Sequence, residues 1–321
     1  MNFNITKYTL KNDNEWDDFV ENNSLNGTIY HTRNFLNYHG NKFEDTSILI
    51  YLIDELIAVV PCCLINNINF SHKGATYGGP VITKKKLKVN VLNDLINEMF
   101  KYYNNNFECR LANDIYFKNP INLLYYFLGK KLNINLELSW YIETGINLID
   151  YIENKRNKKM LTQIFKDTNM YFLSTENIED YIEFYEILKK NLSMNHNNNP
   201  THTLDEFLLI KKILKNNQEL FIVKNLQLSK IVGGVFVIKV TKQCWYTFYI
   251  SRNIDIQNSG ISVIYIMDKI SEIANKQKVK YLDYGISTEE AGQKINIGLS
   301  EFKNNSFGGK ANYRYLLLKN K

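Results

Sequence analysis

The residues best placed to do chemistry lie in the run W-Y-T-F-Y-I-S-R-N-I-D-I-Q-N-S-G-I-S, positions 245–262. An alternating aromatic strand here hands over to an apolar-striped helix, with Gln257, Asn258, Ser259, Gly260 and Ser262 at the junction. The first N–H groups of a helix have no partner within it, and its dipole is positive at that end. An anion such as a pyrophosphate is therefore stabilised there. Gly260, without a Cβ, would let a phosphate come close to the backbone. A helix that is simply capped, with no ligand, is the plain alternative. Tyr246 and Tyr249 flank Phe248, so one face of the strand is buried and the other is free to line a cleft. Their hydroxyls could donate protons, although tyrosines in strands also simply pack. Arg314, on the final alternating segment, could meet a phosphate or lie on the surface.

Composition bounds what such a site could serve. In 321 residues the formal net charge is +6, enough to favour an anionic ligand but too little to mark a nucleic-acid binder. An apolar fraction of 45% excludes a wholly disordered or collagen-like chain. The abundance of Asn, Lys, Ile and Tyr beside only 4 Pro reads as coding bias. Cys62 and Cys63 are adjacent, while Cys109 and Cys244 stand alone, so buried thiols in a reducing compartment are expected rather than a disulfide framework. His31, His39, His72, His196 and His202 lack metal-ligand spacing, and no metal is expected. Lys84, Lys85, Lys86 and Lys88 read as a solvated turn, and Gly233-Gly234 as a bend or a close backbone approach. No window holds 18 consecutive apolar residues, and the first ten residues lack a basic-then-apolar signal pattern. The expectation is a cytoplasmic protein without a membrane span.

The elements that must position these residues fall into two halves of similar rhythm. Strands are predicted at 3–10, 47–53, 56–65, 107–111 and 133–142, with a hairpin turn at Asp54-Glu55. Helices are predicted at 15–21, 32–39, 87–103 and 121–130, the second capped by Thr32. In the second half a basic helix at 148–166 precedes a strand at 170–173 and helices at 178–192 and 204–215. Strands at 220–224, 231–239 and 243–250, a helix at 261–276, a strand at 279–284, a short helix at 299–304 and a strand at 311–318 complete the pattern. This order predicts an α+β protein with domains 1–148 and 149–321, each a mixed, mostly antiparallel sheet flanked by helices.

Several motifs carry a resemblance. Gln257-x-x-Gly260-x-Ser262 resembles the (Arg/Gln)-x-x-Gly-x-(Gly/Ala) loop with which GNAT acyltransferases hold the pyrophosphate of coenzyme A, departing from it at Ser262. The ending Gly298-Leu-Ser-Glu-Phe-Lys303, followed by Phe307-Gly308-Gly309, resembles that of the FemAB-like, two-domain branch of this superfamily. So do Tyr281-Leu-Asp283-Tyr-Gly285, the turn Tyr77-Gly78-Gly79-Pro80, the run Tyr30-His-Thr-Arg-Asn-Phe35, the hairpin 54–61, and the basic helix with Lys155, Arg156, Lys158 and Lys159. Together they span nearly the whole chain in the family's order.

The resemblance implies two tandem GNAT-like domains and direct attack of an amine on an activated acyl carbonyl, with no Ser or Cys nucleophile. Acyl-CoA is the implied donor, and the amine of a nucleotide-linked amino sugar or another envelope precursor the acceptor. Asp283 is the first candidate for positioning or deprotonating that amine, with a turn carboxylate as the plain alternative. The resemblance implies a place for Lys303 near the acyl group or the acceptor's phosphate, where its charge would stabilise an oxyanion; a solvated lysine is the alternative. Tyr249 completes the catalytic set, and Tyr77, Tyr246 and Arg314 the substrate-binding set. An aminoacyl-tRNA donor acting on a peptidoglycan precursor, as in FemAB-type enzymes, is the second reading. A non-catalytic binding module is the third.

Overall fold

The computed structural model describes residues 2–152, 155–164, 169–196 and 198–320. They form two compact units that are not a single cut of the chain. The first comprises Met1–Leu138, Thr288–Lys294 and Tyr313–Lys321; the second comprises Ser139–Ser287 and Ile295–Asn312.

In the first unit, strands Phe3–Lys7, Ile48–Leu52, Glu55–Val60 and Val81–Ile82 pair antiparallel in that order. The hairpin turns at Ile53 and Asp54, one residue earlier than expected, because Glu55 already pairs with Leu52. Strand Phe107–Leu111 lies between Ile68–Ser71, parallel to it, and the end of Lys310–Lys319, antiparallel to it. The predicted strand 56–65 breaks after Val60, and its end, Cys63–Ile65, forms an unforeseen hairpin with Ile68–Ser71. Asn66 and Asn67 make that turn with φ of 49° and 62°, a conformation asparagine tolerates better than most residues. Thr32 caps its short helix as expected, accepting the Phe35 N–H at 3.2 Å. Helix Val89–Tyr102 buries Val91, Leu92, Leu95, Ile96, Met99 and Phe100 at helical spacing. All four cysteines are free and buried.

In the second unit the strand order is Met170–Thr175, Gln218–Asn225, Lys230–Ile238, Cys244–Arg252, Tyr281–Ile286 and then the 139–143 end of Leu132–Glu143. All these pairings are antiparallel except that of Cys244–Arg252 with Tyr281–Ile286. Helix Gly260–Lys276 supplies Ile261, Val263, Ile264, Ile266, Met267, Ile270 and Ala274 to the core with Val232, Val235 and Trp245. Phe184 of helix Ile178–His196 and Phe207 of helix Leu204–Leu214 pack with Phe236 or its neighbours. Strand Lys230–Ile238 is thereby buried along nearly its whole length, which explains why it reads as an unbroken apolar run. The expected basic helix appears as a 3-10 turn, Leu148–Tyr151, and a helix, Lys155–Ile164. Positions 165–166 and the side chain of Arg156 lie outside the described residues.

Candidate active site

The parallel pair at the centre of the second unit does not stay paired. Cys244, Trp245 and Tyr246 oppose Tyr281, Leu282 and Asp283, and no further register pair joins these strands among the described residues. At the point of parting, Thr247 Oγ1 donates to the Asp283 carbonyl at 3.1 Å, so a side chain holds what the backbone ladder has released. On the other side, Phe236 opposes Tyr249 and Val237 opposes Thr247, which leaves Phe248 as the extra residue of a β-bulge. Bulges bend a strand and re-aim its side chains. The released part of Cys244–Arg252 therefore presents an edge to a cleft.

A cavity of about 290 Å³ follows that edge, lined by Ile250, Ser251 and Arg252 of the strand, Gly260 and Val263 of the next helix, Asn191 and Phe302. Asn191 Nδ2 donates to Ser251 Oγ at 3.1 Å. At the helix start, Asn258 has φ of 60° and Ser259 is the N-cap. The carbonyls of Ile256, Asn258 and Ser259 accept the N–H groups of Ser259, Ile261 and Ser262. The N–H groups of Asn258 and Gly260 donate to no backbone carbonyl among the described residues. Gln257 and Asn258 are exposed. Ser262 is turned inward: it is fully buried, its hydroxyl donates to the Ser259 carbonyl at 2.6 Å, and it fills the space a Cβ on Gly233 would need. Arg252 Nη1 lies 3.4 Å from Ser259 Oγ.

Across the parting, Asp283 is fully buried and its Oδ1 accepts the Gly285 N–H at 2.6 Å and the Ser139 hydroxyl at 3.4 Å. Gly285 has φ of 72°, and a Cβ there would come 2.8 Å from the Tyr246 hydroxyl, so glycine is required on two counts. Lys303 is buried at 5% exposure, and its ammonium donates to the carbonyls of Gly285 at 3.1 Å and Ile286 at 2.7 Å. It sits in a five-residue π-helical turn, Phe302–Ser306, which puts Phe302 in the cavity wall while Lys303 grips the strand end. Gly308, at φ of 62°, and Gly309 close that turn where side chains would strike Tyr151 and the Lys303 carbonyl. Tyr249 shares a hydrogen bond of 2.8 Å with His202 Nδ1, and burial pushes its phenol well above the usual range. Its proton therefore stays on at neutral pH.

No family model and no curated protein matches the sequence. Solved structures do match. FemX aligns at TM-score 0.67 with 12% identity, covering 98% of this chain and 97% of its own. L-PGS from Bacillus licheniformis aligns at 0.52 with 11% identity, covering 82% and 81%. A tandem GNAT protein from the clavulanic acid biosynthesis pathway aligns at 0.50 with 6% identity, covering 98% and 97%. The fold is FemAB-like, with two tandem GNAT-like domains.

Within this FemAB-like fold the expected site residues separate into two groups. Tyr246, Tyr249, Gln257, Asn258, Ser259, Gly260, Ser262, Asp283 and Lys303 all belong to the second unit. Tyr77 and Arg314 belong to the first. Tyr77 is 1% exposed and its hydroxyl shares a hydrogen bond of 3.2 Å with that of Tyr116. Arg314, read as a phosphate partner, is buried and donates from Nε to Glu137 Oε2 at 2.8 Å; Arg110 reaches the same oxygen at 3.0 Å. Lys303, weighed against a solvated lysine, is not solvated. Asn191, His202, Arg252 and Phe302 are not among the residues the sequence marks as a site; Arg252 and Phe302 lie in the runs 245–262 and 298–303, but nothing in their spacing distinguishes them. A second cavity of about 300 Å³ in the first unit, lined by Glu15, Asp18, Lys84 and Lys85, holds none of the expected residues. Among the described residues no three His, Cys, Asp or Glu gather as metal ligands, and no helix is long and apolar enough to cross a membrane.

Proposed function

We propose that the protein is an N-acyltransferase that moves an acyl group from acyl-CoA to the amine of a nucleotide-linked amino sugar or another cell-envelope precursor. The observation that carries this reading is the parting of Cys244–Arg252 from Tyr281–Ile286 after three paired residues, with a cavity running from the released edge to Gly260. Released backbone N–H groups can polarise a thioester carbonyl, and an extended donor can lie in the gap with its diphosphate at Gln257, Asn258, Ser259 and Gly260. In this assignment Ser262 supports the loop from within.

The neutral acceptor amine attacks the carbonyl carbon, and the oxyanion collapses to the amide as the carbon–sulfur bond breaks and the thiolate of coenzyme A leaves. The proton lost by the nitrogen passes to solvent, which resupplies the proton given to the sulfur. An α-amino group titrates near about 8, so little base assistance is needed to deprotonate it. Tyr249 keeps its proton and can give it to the leaving sulfur. Lys303 brings positive charge to the strand end beside the reacting carbonyl. Asp283, fully enclosed, acts in this scheme as a positioning residue: it fixes the Gly285 peptide whose carbonyl holds Lys303.

The test is thermal unfolding of the full chain with acetyl-CoA. At a hundredfold excess over its dissociation constant, a ligand of the folded state stabilises by about 2.7 kcal/mol, a rise of several degrees. No rise with acetyl-CoA but a salt-sensitive shift with aminoacylated tRNA would replace the donor and keep the chemistry. No response to either would leave a non-catalytic binding module.

A further inference from the structure

Arg252 is the one cavity-lining cation that the loop pattern does not explain. It ends its strand at the mouth of the cavity, with Cδ 3.5 Å from the point a Cβ on Gly260 would occupy. Its contact with Ser259 Oγ, at 3.4 Å, is long and engages one of five guanidinium N–H groups. Among the described residues no carboxylate pairs with it. The acid closest in sequence, Asp255, is held instead by Lys190 at 2.6 Å. Elsewhere the protein does pair its partly or fully buried arginines: Arg33 with Asp45, and Arg110 and Arg314 with Glu137. A half-buried guanidinium without counter-charge keeps a desolvation cost that an anion in the cavity would relieve.

We propose that Arg252 is the phosphate-binding side chain of the acyl donor's pocket, a role that rests on the acyltransferase reading above. Its planar fork suits two oxygens of one phosphate, which a lysine at that position could not match. Beyond it, Ile250, Val263 and Phe302 offer apolar walls to the uncharged arm between phosphate and acyl group, and Ser251 and Asn191 offer hydrogen bonds to amides along it. The recognised chemistry is a phosphate ester at the far end of the donor. The diphosphate of coenzyme A and the terminal phosphodiester of an aminoacylated RNA both supply it.

The experiment measures equilibrium binding of acetyl-CoA, S-acetylpantetheine and a short aminoacylated RNA ending in CCA to the wild-type chain, Arg252→Gln and Arg252→Lys. S-acetylpantetheine has the same thioester arm and no phosphate. Arg252→Gln should weaken the phosphate-bearing donor by about 10- to 100-fold, with Arg252→Lys in between, and leave S-acetylpantetheine within about twofold. The response of acetyl-CoA or of the RNA identifies the source of the phosphate. Equal weakening of acetyl-CoA and S-acetylpantetheine, or no weakening of either phosphate donor, overturns the assignment while leaving the acyltransferase reading in place. A wild-type chain that binds none of the three overturns both. Matched unfolding curves for the three proteins separate lost contacts from lost folding.

Discussion

Lys303→Met isolates what the buried ammonium does, because methionine keeps the length and apolar character of the stem. Two charge-assisted hydrogen bonds disappear, at 3.1 and 2.7 Å. The bond to Gly285 is buried, so water cannot replace the lysine there; the bond to Ile286 is partly exposed, so water can replace it. A buried acceptor that loses its charged donor costs about 1–3 kcal/mol, while relief of the ammonium's own desolvation subtracts. The net expectation is a loss of about 2–3 kcal/mol. At about 2–4 °C per kcal/mol for a domain of this size, the melting temperature should fall by roughly 5–10 °C. If the same ammonium also stabilises an oxyanion, kcat measured well below the transition should fall by about 100- to 1,000-fold. Differential scanning calorimetry and turnover at 15 °C read the two effects separately. Melting within 1 °C of wild type refutes the strand-end clamp, and unchanged turnover in the folded variant refutes the catalytic place of Lys303.

Gly233→Ala should destabilise by about 1–3 kcal/mol, because its Cβ would overlap the Ser262 hydroxyl and lie 3.3 Å from Val263 Cγ2. Adding Ser262→Ala should recover most of that loss, and a double-mutant cycle by urea unfolding that shows simple additivity would rule out the contact. Burial lowers the His31 imidazole to about 4, against about 6.5 when unfolded. The unfolded chain therefore binds the extra proton first, and stability is complete above pH 6.5 and falls as pH drops toward 4. At pH 5 the His31 contribution to that fall is about 2 kcal/mol. His31→Gln should flatten the pH dependence by that amount in chemical unfolding at pH 7 and pH 5, and an unchanged slope would show that His31 does not titrate in this way.

Much of this protein was legible along the chain. Local order wrote the alternating strands at 107–111 and 133–142, the amphipathic helices at 89–102 and 260–276, and the Thr32 cap, because each depends on neighbours within one or two turns. The junction from Gln257 to Gly260 was legible for the same reason, since a strand end and a helix start are consecutive there; the left-handed turn at Asn258 was not. Contacts between distant residues were not. Where the strands part, Thr247 bridges to Asp283, 36 residues away, and a bulge at Phe248 is defined only against its partner strand. Asp283 and Lys303 read as polar residues able to face a cleft, yet tertiary packing encloses both and ties them through Gly285. Arg314 read as a phosphate partner or a surface cation, and the fold instead brings Glu137 to it across 177 residues of chain. Conversely, Arg252 gained its meaning by subtraction, since only three dimensions reveal that the nearby acid is occupied by Lys190. Residue type and spacing determined which chemistry was available, whereas burial and pairing, which are properties of the folded whole, decided which of those groups can touch a ligand.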